Sequence, residues 1–392
     1  MDMESILSME IEKMPGLSFN CSCGATHSVD IEKLVVRNGI LDELVKGLMP
    51  FHEGKLFVLS DANTYEIFAK TVLDRLDKEG FRYKSFVFDA GGHDLIPDSA
   101  SVGRLLIELE QETSLILAVG SGVLNDIARI VGFRTDKPFA IAGTAPSMDG
   151  YASVVSPLLV DGKKTTYQAK YPYAIFADTS IMRNAPMVMI RAGYGDVLGK
   201  LTALADWQLT NIVTGEFYCE TTAKLVQNAV DKCIMSTDGL AARDEGAIRN
   251  LIEALVLTGI SMGLVGMPRP ASGTEHQLAH YWEMKMIEAG REHPLHGNAV
   301  GTATVVTAML YELSADLLPA GVNYPTVEHV SGLLGRIGAA VNPKELGIDR
   351  ELFVDSMMNA MNMRDKYTLM RLCDARGKLA EYTDIMARRF YD

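Results

Sequence analysis

The sequence is poor in cysteine and tryptophan, poor in positive charge, and without a long uninterrupted apolar run. Its 392 residues include 5 Cys and 2 Trp, and 37 Lys and Arg stand against 50 Asp and Glu, a net charge of −13. The cysteines (Cys21, Cys23, Cys219, Cys233, Cys373) are odd in number and irregularly spaced. That excludes a disulfide framework and leads us to expect reduced thiols in the cytoplasm. An acidic surface repels nucleic acid and anionic lipid, so neither is an expected partner. A small anionic substrate is not excluded, because a metal ion or a local cation reverses the field inside a cleft. The start, Met1-Asp2-Met3-Glu4-Ser5, is acidic and has no apolar stretch of signal-peptide length. The longest apolar span, Leu251 to Met267, carries Glu253 and several glycines and falls short of a comfortable bilayer crossing, so no membrane insertion is expected. Gly259 and Gly263 within it read as a place where two buried helices approach closely.

At this length two domains are the natural expectation. Over the first 150 residues strands and helices alternate: Lys55–Ser60, Phe86–Phe88, Leu115–Val119 and Phe139–Ala142 read as strands. Helical spacing over Asn63–Glu79 and Asp98–Gln111 separates the first three. Continuous apolar strands between amphipathic helices predict a parallel sheet covered on both faces. Asp161-Gly162 between two alternating segments predicts a hairpin, and Ala174–Ala177 one more strand. Beyond Asp178 the pattern is helical, punctuated at Ala185-Pro186 and at Met267-Pro268-Arg269-Pro270. The expected fold class is therefore a Rossmann-like α/β domain, residues 1–180, followed by an all-α domain, residues 181–392.

In such sheets ligands sit at the carboxyl ends of strands, where the glycine clusters fall. Gly91-Gly92-His93-Asp94 follows the second apolar run, Gly120-Ser121-Gly122 the third, and Gly143-Thr144-Ala145-Pro146-Ser147 the fourth. Glycine lets a backbone approach a diphosphate, and the helix start beyond it offers free amides. The third glycine of the usual dinucleotide fingerprint is missing, so the signal lies in the repetition of small-residue turns. Asp61, after the first run, can accept bonds from an adenosine ribose and repel a 2′-phosphate, which leans toward NADH over NADPH; it can equally cap the next helix.

Four of the eight histidines (His276, His280, His293 and His296) lie within 21 residues. His276 and His280 share one helix face, and His296 lies in a Pro-Leu-His-Gly turn. With Asp196, after Gly193-Tyr194-Gly195, they offer one carboxylate and two or more imidazoles to a divalent ion with positions left open. Asp196 can alternatively cap a helix starting near Val197. A second group, Cys21-Ser22-Cys23-Gly24 with His27, supplies three metal ligands but no visible fourth, and a turn before the first strand is the plainer reading.

Together, Ser60–Tyr65, Gly120–Asp126, Gly143–Ser153 and the segments around Asp196, His276 and His296 resemble the superfamily of iron-containing alcohol dehydrogenases, glycerol dehydrogenases and dehydroquinate synthases, and within it the glycerol-1-phosphate dehydrogenases, the bacterial type especially. The resemblance runs from about Val35 to past Gly301. It implies that Gly122, Val123, Leu124, Asn125 and Asp126, with Thr144, Ala145, Pro146 and Ser147, contact NAD(H) or NADP(H), with Ser153 near the nicotinamide. It implies that Asp149 and His280 touch the substrate. Asp196, His276 and His296 would bind the ion, zinc or nickel. Where the iron enzymes place a further histidine ligand this chain has Lys200, which argues for a three-residue site. The implied reaction is reversible reduction of dihydroxyacetone phosphate to glycerol 1-phosphate by a cytoplasmic homodimer. Lys200, Arg191 and Arg269 are candidates for the substrate phosphate. Rival readings are a glycerol dehydrogenase, a cyclase like dehydroquinate synthase, and a nucleotide or metal sensor without turnover.

Overall fold

The computed structural model describes residues 3–89, 91 and 95–392; Gly92, His93 and Asp94 of the first glycine cluster lie outside the described residues. The chain opens with a small antiparallel hairpin, β1 (Ser18–Asn20) and β2 (Thr26–Ser28). A six-stranded sheet follows, made of β3 (Lys33–Arg37), β4 (Lys55–Asp61), β5 (Arg82–Phe88), β6 (Thr113–Gly120), β7 (Phe139–Gly143) and β10 (Ala174–Asp178). A second hairpin, β8 (Val155–Val160) and β9 (Lys163–Gln168), interrupts it. The helices α1 (Leu41–Leu48), α2 (Lys70–Lys78), α3 (Ser99–Glu108) and α4 (Gly122–Arg134) connect the strands. The strands read from sequence are present; β1, β2 and β3 were not anticipated, because three to five residues give too little alternation to stand out.

All pairings in the large sheet are parallel, in the order β3-β10-β7-β6-β4-β5. From β4 the chain goes outward to β5 and then returns on the other side to β6. The β4/β6 boundary is thus a topological switch point, where crossovers leave in opposite directions and open a crevice at the carboxyl ends. Asp61 ends β4 and Gly120 ends β6. Strand interiors are buried almost throughout, as both faces are covered by helices. In the β8–β9 hairpin Asp161 and Gly162 both take positive φ, 50° and 73°, the mirror-image turn that matches strand twist.

After Asp178 the described residues form helices only. The long ones are α5 (Met187–Thr214), α6 (Glu220–Met235), α7 (Glu245–Val265), α8 (Thr274–Glu288) and α9 (His296–Leu313). α7 is long and apolar enough by composition to cross a membrane, but 61% of its apolar window is buried inside the protein, which makes it a core helix. The sequence leads us to expect a second helix against its glycines; Gly259 does meet the short 3-10 helix Asp149–Ala152, whereas Gly263 meets a tyrosine ring. A Cβ at Gly259 would stand 2.7 Å from the Asp149 carbonyl, and one at Gly263 would strike the Tyr171 ring.

The pairing of α5 with α9 sets the geometry of the site. Side chains at Gly195 and Gly297 would overlap the backbone of the opposite helix, and a Cβ at Gly301 would lie 2.9 Å from the Gly195 Cα. Gly193 likewise presses against the Pro146 carbonyl, so the loop after β7 is held against the same stretch of α5. The Gly-Tyr-Gly sequence is therefore a contact surface within a continuous helix. Asp196 lies well inside α5 and is not its cap, which corrects the helix start expected near Val197.

Candidate active site

Asp196, at the α5–α9 contact, is fully buried, as are Lys200 one turn later and Glu275 at the start of α8. The structure brings Asp196, His276 and His296 together, with one potential ligand atom from each lying within 4.8 Å of the others. His276 Nε2 stands 3.6 Å from Asp196 Oδ1. Its other nitrogen, Nδ1, is held at 2.8 Å by Glu275 Oε1. Because that carboxylate accepts the Nδ1 proton, Nε2 carries the lone pair turned to Asp196. Glu275 is itself fixed by the Gly273 amide at 2.6 Å and the Thr202 hydroxyl at 2.7 Å. His296 opens α9, and its Nδ1 is buried without a hydrogen-bond partner. An orphaned imidazole nitrogen beside a carboxylate and a second imidazole fits a divalent cation. His280 lies one turn past His276, with its ring stacked on His296 at 5.1 Å between centroids. His293 stays outside the group and bonds the Pro294 carbonyl.

Lys200 neutralises this centre. Its ammonium donates to Asp196 Oδ1 at 2.7 Å, to Asp149 Oδ2 at 2.7 Å and to the Ala271 carbonyl at 3.1 Å. The other oxygen of Asp196 accepts the Asp149 amide at 2.9 Å. Burial alone would strip the Lys200 charge, but Asp149 and Asp196 raise its pKa above the ordinary value. Burial opposes charge on Asp196 too, yet Lys200 and His276 hold it well below the usual carboxylate range. Asp149 goes the other way, raised by burial and by the Asp196 charge. Burial lowers His296 to about 3. His280 falls well below its free value through burial and the positive charge of Lys164. His276 is pulled down by burial and Lys200, but the Asp196 and Glu275 carboxylates outweigh them and its pKa is raised.

The expected nucleotide residues lie at and beyond the carboxyl ends of β4, β6 and β7. Asp61 caps the next helix, accepting the Thr64 amide at 2.8 Å through Oδ1. Ser121 makes no side-chain cap, so the Gly122, Val123 and Leu124 amides at the start of α4 have no partner within the helix. The Leu124 side chain fills the space over Gly120, so a Cβ there would strike it. Asn125 and Asp126 are buried and engaged: Asn125 Nδ2 donates to the Gly150 carbonyl at 3.0 Å, and Asp126 pairs with Arg129 at 2.8 Å. They brace the turn that carries Asp149. The Thr144 amide bonds the Gly120 carbonyl at 2.9 Å, tying two glycine turns together. Ala145 accepts the Tyr151 hydroxyl, Pro146 meets Gly193, and Ser147 is half-exposed. The Ser153 hydroxyl is buried and donates to the Val155 carbonyl.

Two expectations for the substrate phosphate are corrected. All the Lys200 protons are committed, and the guanidinium of Arg269 is locked on Glu216 and the Tyr367 carbonyl, whereas Arg191 donates through Nε to the Ile337 carbonyl. Lys164 and Arg364 instead lie close enough to His280 to lower its basicity. Lys164 pairs with Glu283, whereas Arg364 meets only the Thr166 hydroxyl and no carboxylate among the described residues. Sequence reasoning missed both residues, and Glu275 as well. Only Glu275 left a local signal, an acid directly before a candidate ligand.

Known proteins resemble this chain over most of its length. Residues 35–186 match the family model described as iron-containing alcohol dehydrogenase. A Halalkalibacterium halodurans protein named glycerol-1-phosphate dehydrogenase, NAD(P)+, is 33% identical over 378 residues, covering 89% of this chain and 94% of that protein. The protein of that name from Bacillus subtilis is 33% identical over 91% of this chain and 94% of its own. The one from Thermococcus kodakarensis is 32% identical over 81% and 85%. Among solved structures, glycerol dehydrogenase from Schizosaccharomyces pombe superposes with a TM-score of 0.66 at 17% identity, covering 91% of this chain and 90% of that one. Maleylacetate reductase from a Rhizobium species gives 0.68 at 16%, over 91% and 97%; both likenesses bear on fold alone. With about a third of its residues identical to theirs, over nearly the whole length of each bacterial relative, the chain belongs to the glycerol-1-phosphate dehydrogenases of the iron-containing alcohol dehydrogenase superfamily.

Proposed function

We propose that the protein catalyses the reversible, NAD(P)H- and metal-dependent reduction of dihydroxyacetone phosphate to sn-glycerol 1-phosphate. One observation carries the reading: a carboxylate and two imidazoles from α5, α8 and α9 converge beside the loop after β7, next to the crevice at the β4/β6 switch point. Relatives bearing the glycerol-1-phosphate dehydrogenase name support the substrate. Residues 1–180 would hold the dinucleotide and residues 181–392 the ion and substrate.

Asp196, His276 and His296 hold the ion, zinc or nickel by the chemistry of an N,N,O donor set. When bound, the ion polarises the C2 carbonyl and the reduced nicotinamide supplies the hydride. The chain's own groups do the rest. Glu275 fixes the His276 tautomer. Asp149, pinned by Lys200, orients a substrate hydroxyl. Burial keeps His280 neutral at pH 7, so it relays a proton: one ring nitrogen donates to the new hydroxyl oxygen as the other takes up a proton from solvent. Lys164 and Arg364 hold the phosphate. The α4 amides take the dinucleotide diphosphate, and Asp61 favours NADH over NADPH. The reading includes a homodimer in the cytoplasm.

The test uses enzyme stripped of its labile metal. NADH oxidation with dihydroxyacetone phosphate should vanish on chelation and return with zinc or nickel. Replacing His276 by Ala should block that return, lowering the rate by about 10³-fold or more while NADH binding persists. Turnover of glycerol in place of glycerol phosphate would favour a glycerol dehydrogenase. Substrate consumption without a net change in NADH would favour a cyclase.

A further inference from the structure

A second group of ligand atoms lies away from this centre, at the first hairpin. Cys21, Cys23, His27 and Cys219 each bring one donor atom within 4.8 Å of the other three. The first three come from the β1–β2 hairpin, Cys21 and Cys23 on its turn and His27 on β2. That turn is closed by the Cys21 amide on the Ala25 carbonyl at 2.9 Å and the Gly24 amide on the Cys21 carbonyl at 3.0 Å, with Gly24 at φ +88°. The fourth is nearly 200 residues further on, at the N-cap of α6, which is why no local sequence pattern reveals it.

The distances suit a metal. Cys21 Sγ and Cys219 Sγ are 3.7 Å apart, and His27 Nε2 lies 3.3 Å from Cys23 Sγ and 3.4 Å from Cys219 Sγ. Bonds of about 2.3 Å to sulfur and about 2.0 Å to nitrogen, at the tetrahedral angle, give edges of about 3.8 Å between sulfurs and about 3.5 Å from sulfur to nitrogen. The surroundings suit one too. His27 Nδ1 stands 2.6 Å from the Leu264 carbonyl at the end of α7. A carbonyl only accepts, so Nδ1 carries the proton and Nε2 presents its lone pair to the three sulfurs. The Thr222 amide and hydroxyl reach Cys219 Sγ at 3.5 and 3.3 Å, donors that favour a thiolate at a helix N-terminus. His27 and Cys219 are buried, Cys21 and Cys23 half-buried, and all are unpaired thiols or imidazole.

We infer that Cys21, Cys23, His27 and Cys219 form a closed tetrahedral Cys3His site for a structural zinc ion that fastens the N-terminal hairpin to α6 and α7. Three sulfurs and one imidazole exhaust a tetrahedral shell, so no position is left for substrate or water. Binding expels the thiol protons, and the ion clips together segments far apart in sequence, where a cross-link constrains the unfolded chain most. This site is independent of the proposed reaction and has its own readout.

The test is metal analysis of the full-length protein after prolonged dialysis against a chelator. One zinc ion per chain should remain in the wild type and in His276→Ala, and should be released by a mercurial that titrates thiols. Protein made in cobalt medium should show a thiolate-to-cobalt charge-transfer band with the intense ligand-field bands of tetrahedral cobalt. Both signals should be lost in Cys23→Ser. Should that variant not fold, wild-type protein decides the matter. No retained zinc after dialysis, free alkylation of Cys21 and Cys23 in the undialysed protein, or a Cys21–Cys219 disulfide found by mass spectrometry would each overturn the site.

Discussion

The two ligand clusters solve the problem of an empty metal site differently. Asp196, His276 and His296 sit at a buried contact where a cation is already present: Lys200 bonds Asp196 and Asp149, so the carboxylates have a positive partner before any ion arrives. The cysteine cluster contains no lysine or arginine: burial keeps the Cys219 thiol protonated, pushed up to about 11, and although burial opposes charge on Cys21 as well, hydrogen bonds from the Cys23 backbone and Thr221 draw that thiol down to about 6. The first can stay assembled and open while the ion comes and goes, as a catalytic centre requires. The second pays for assembly only when metal displaces its protons, which suits a permanent clip. Charge balance in the empty state therefore separates a working site from a structural one.

Removing Lys200 should break that contrast most severely. In Lys200→Met two buried carboxylates lose their shared cation, and an uncompensated buried charge costs about 3–5 kcal/mol. Urea titration of metal-stripped protein should show a loss of that order. Zinc or nickel should recover part of it, since a divalent ion then supplies the missing charge. Equal losses with and without metal would mean that Lys200 and the ion do not share the Asp196 field.

Acid should separate the clusters next. Burial holds His296 at about 3 in the metal-free fold, against about 6.5 when unfolded. Below pH 6.5 the unfolded chain takes up a proton that folded His296 refuses. The stabilising contribution is therefore complete above pH 6.5 and is lost as pH falls toward 3, by up to about 1.4 kcal/mol per pH unit for one proton. His276, with its raised pKa, works in the opposite sense. The stability gap between wild type and His296→Asn isolates the first effect and should narrow steadily as pH drops. A gap independent of pH between 6.5 and 4 would mean that His296 is protonated in the fold.

The two halves of the chain differed in how openly sequence displayed them. Strands β4, β6, β7 and β10 are apolar runs, and the parallel pairing of the first three follows from the helices between them, while β10 is reached through the β8–β9 hairpin. The site residues Asp196, His276 and His296 stood out because each has a chemistry that core positions avoid. What stayed hidden depends on contacts distant in sequence. Gly193 and Gly195 look like a turn and are instead the flat face on which α5 meets Pro146 and α9. Cys219 is an isolated cysteine until α6 is folded beside the hairpin. Arg269 looks like a phosphate ligand until Glu216 is found across its guanidinium. Periodicity reports what a residue does within its own element; partners from other elements leave no trace in it.

Glu275→Gln is a smaller perturbation of the open cluster. The amide keeps the size of the carboxylate but can no longer draw the Nδ1 proton of His276 as strongly. Loss of such an outer partner typically weakens metal binding by about 10–100-fold. Competition with a fluorescent chelator should register that change in the labile metal, while the chelator-resistant zinc of the cysteine cluster stays constant.

The smallest effect is expected at Asp61, where neither cluster should respond. Serine still accepts the Thr64 amide as a helix cap, so Asp61→Ser should cost only a few tenths of a kcal/mol in stability. What disappears is a negative charge at the end of β4, beside the switch-point crevice. A 2′-phosphate would no longer be repelled there, and a ribose diol would lose a charged acceptor. The ratio of kcat/KM for NADH over NADPH should fall by roughly tenfold, about 1.4 kcal/mol, with metal content unchanged. If the ratio holds while stability falls by a full kcal/mol, the carboxylate of Asp61 serves only the helix, and cofactor choice is made elsewhere along the crevice.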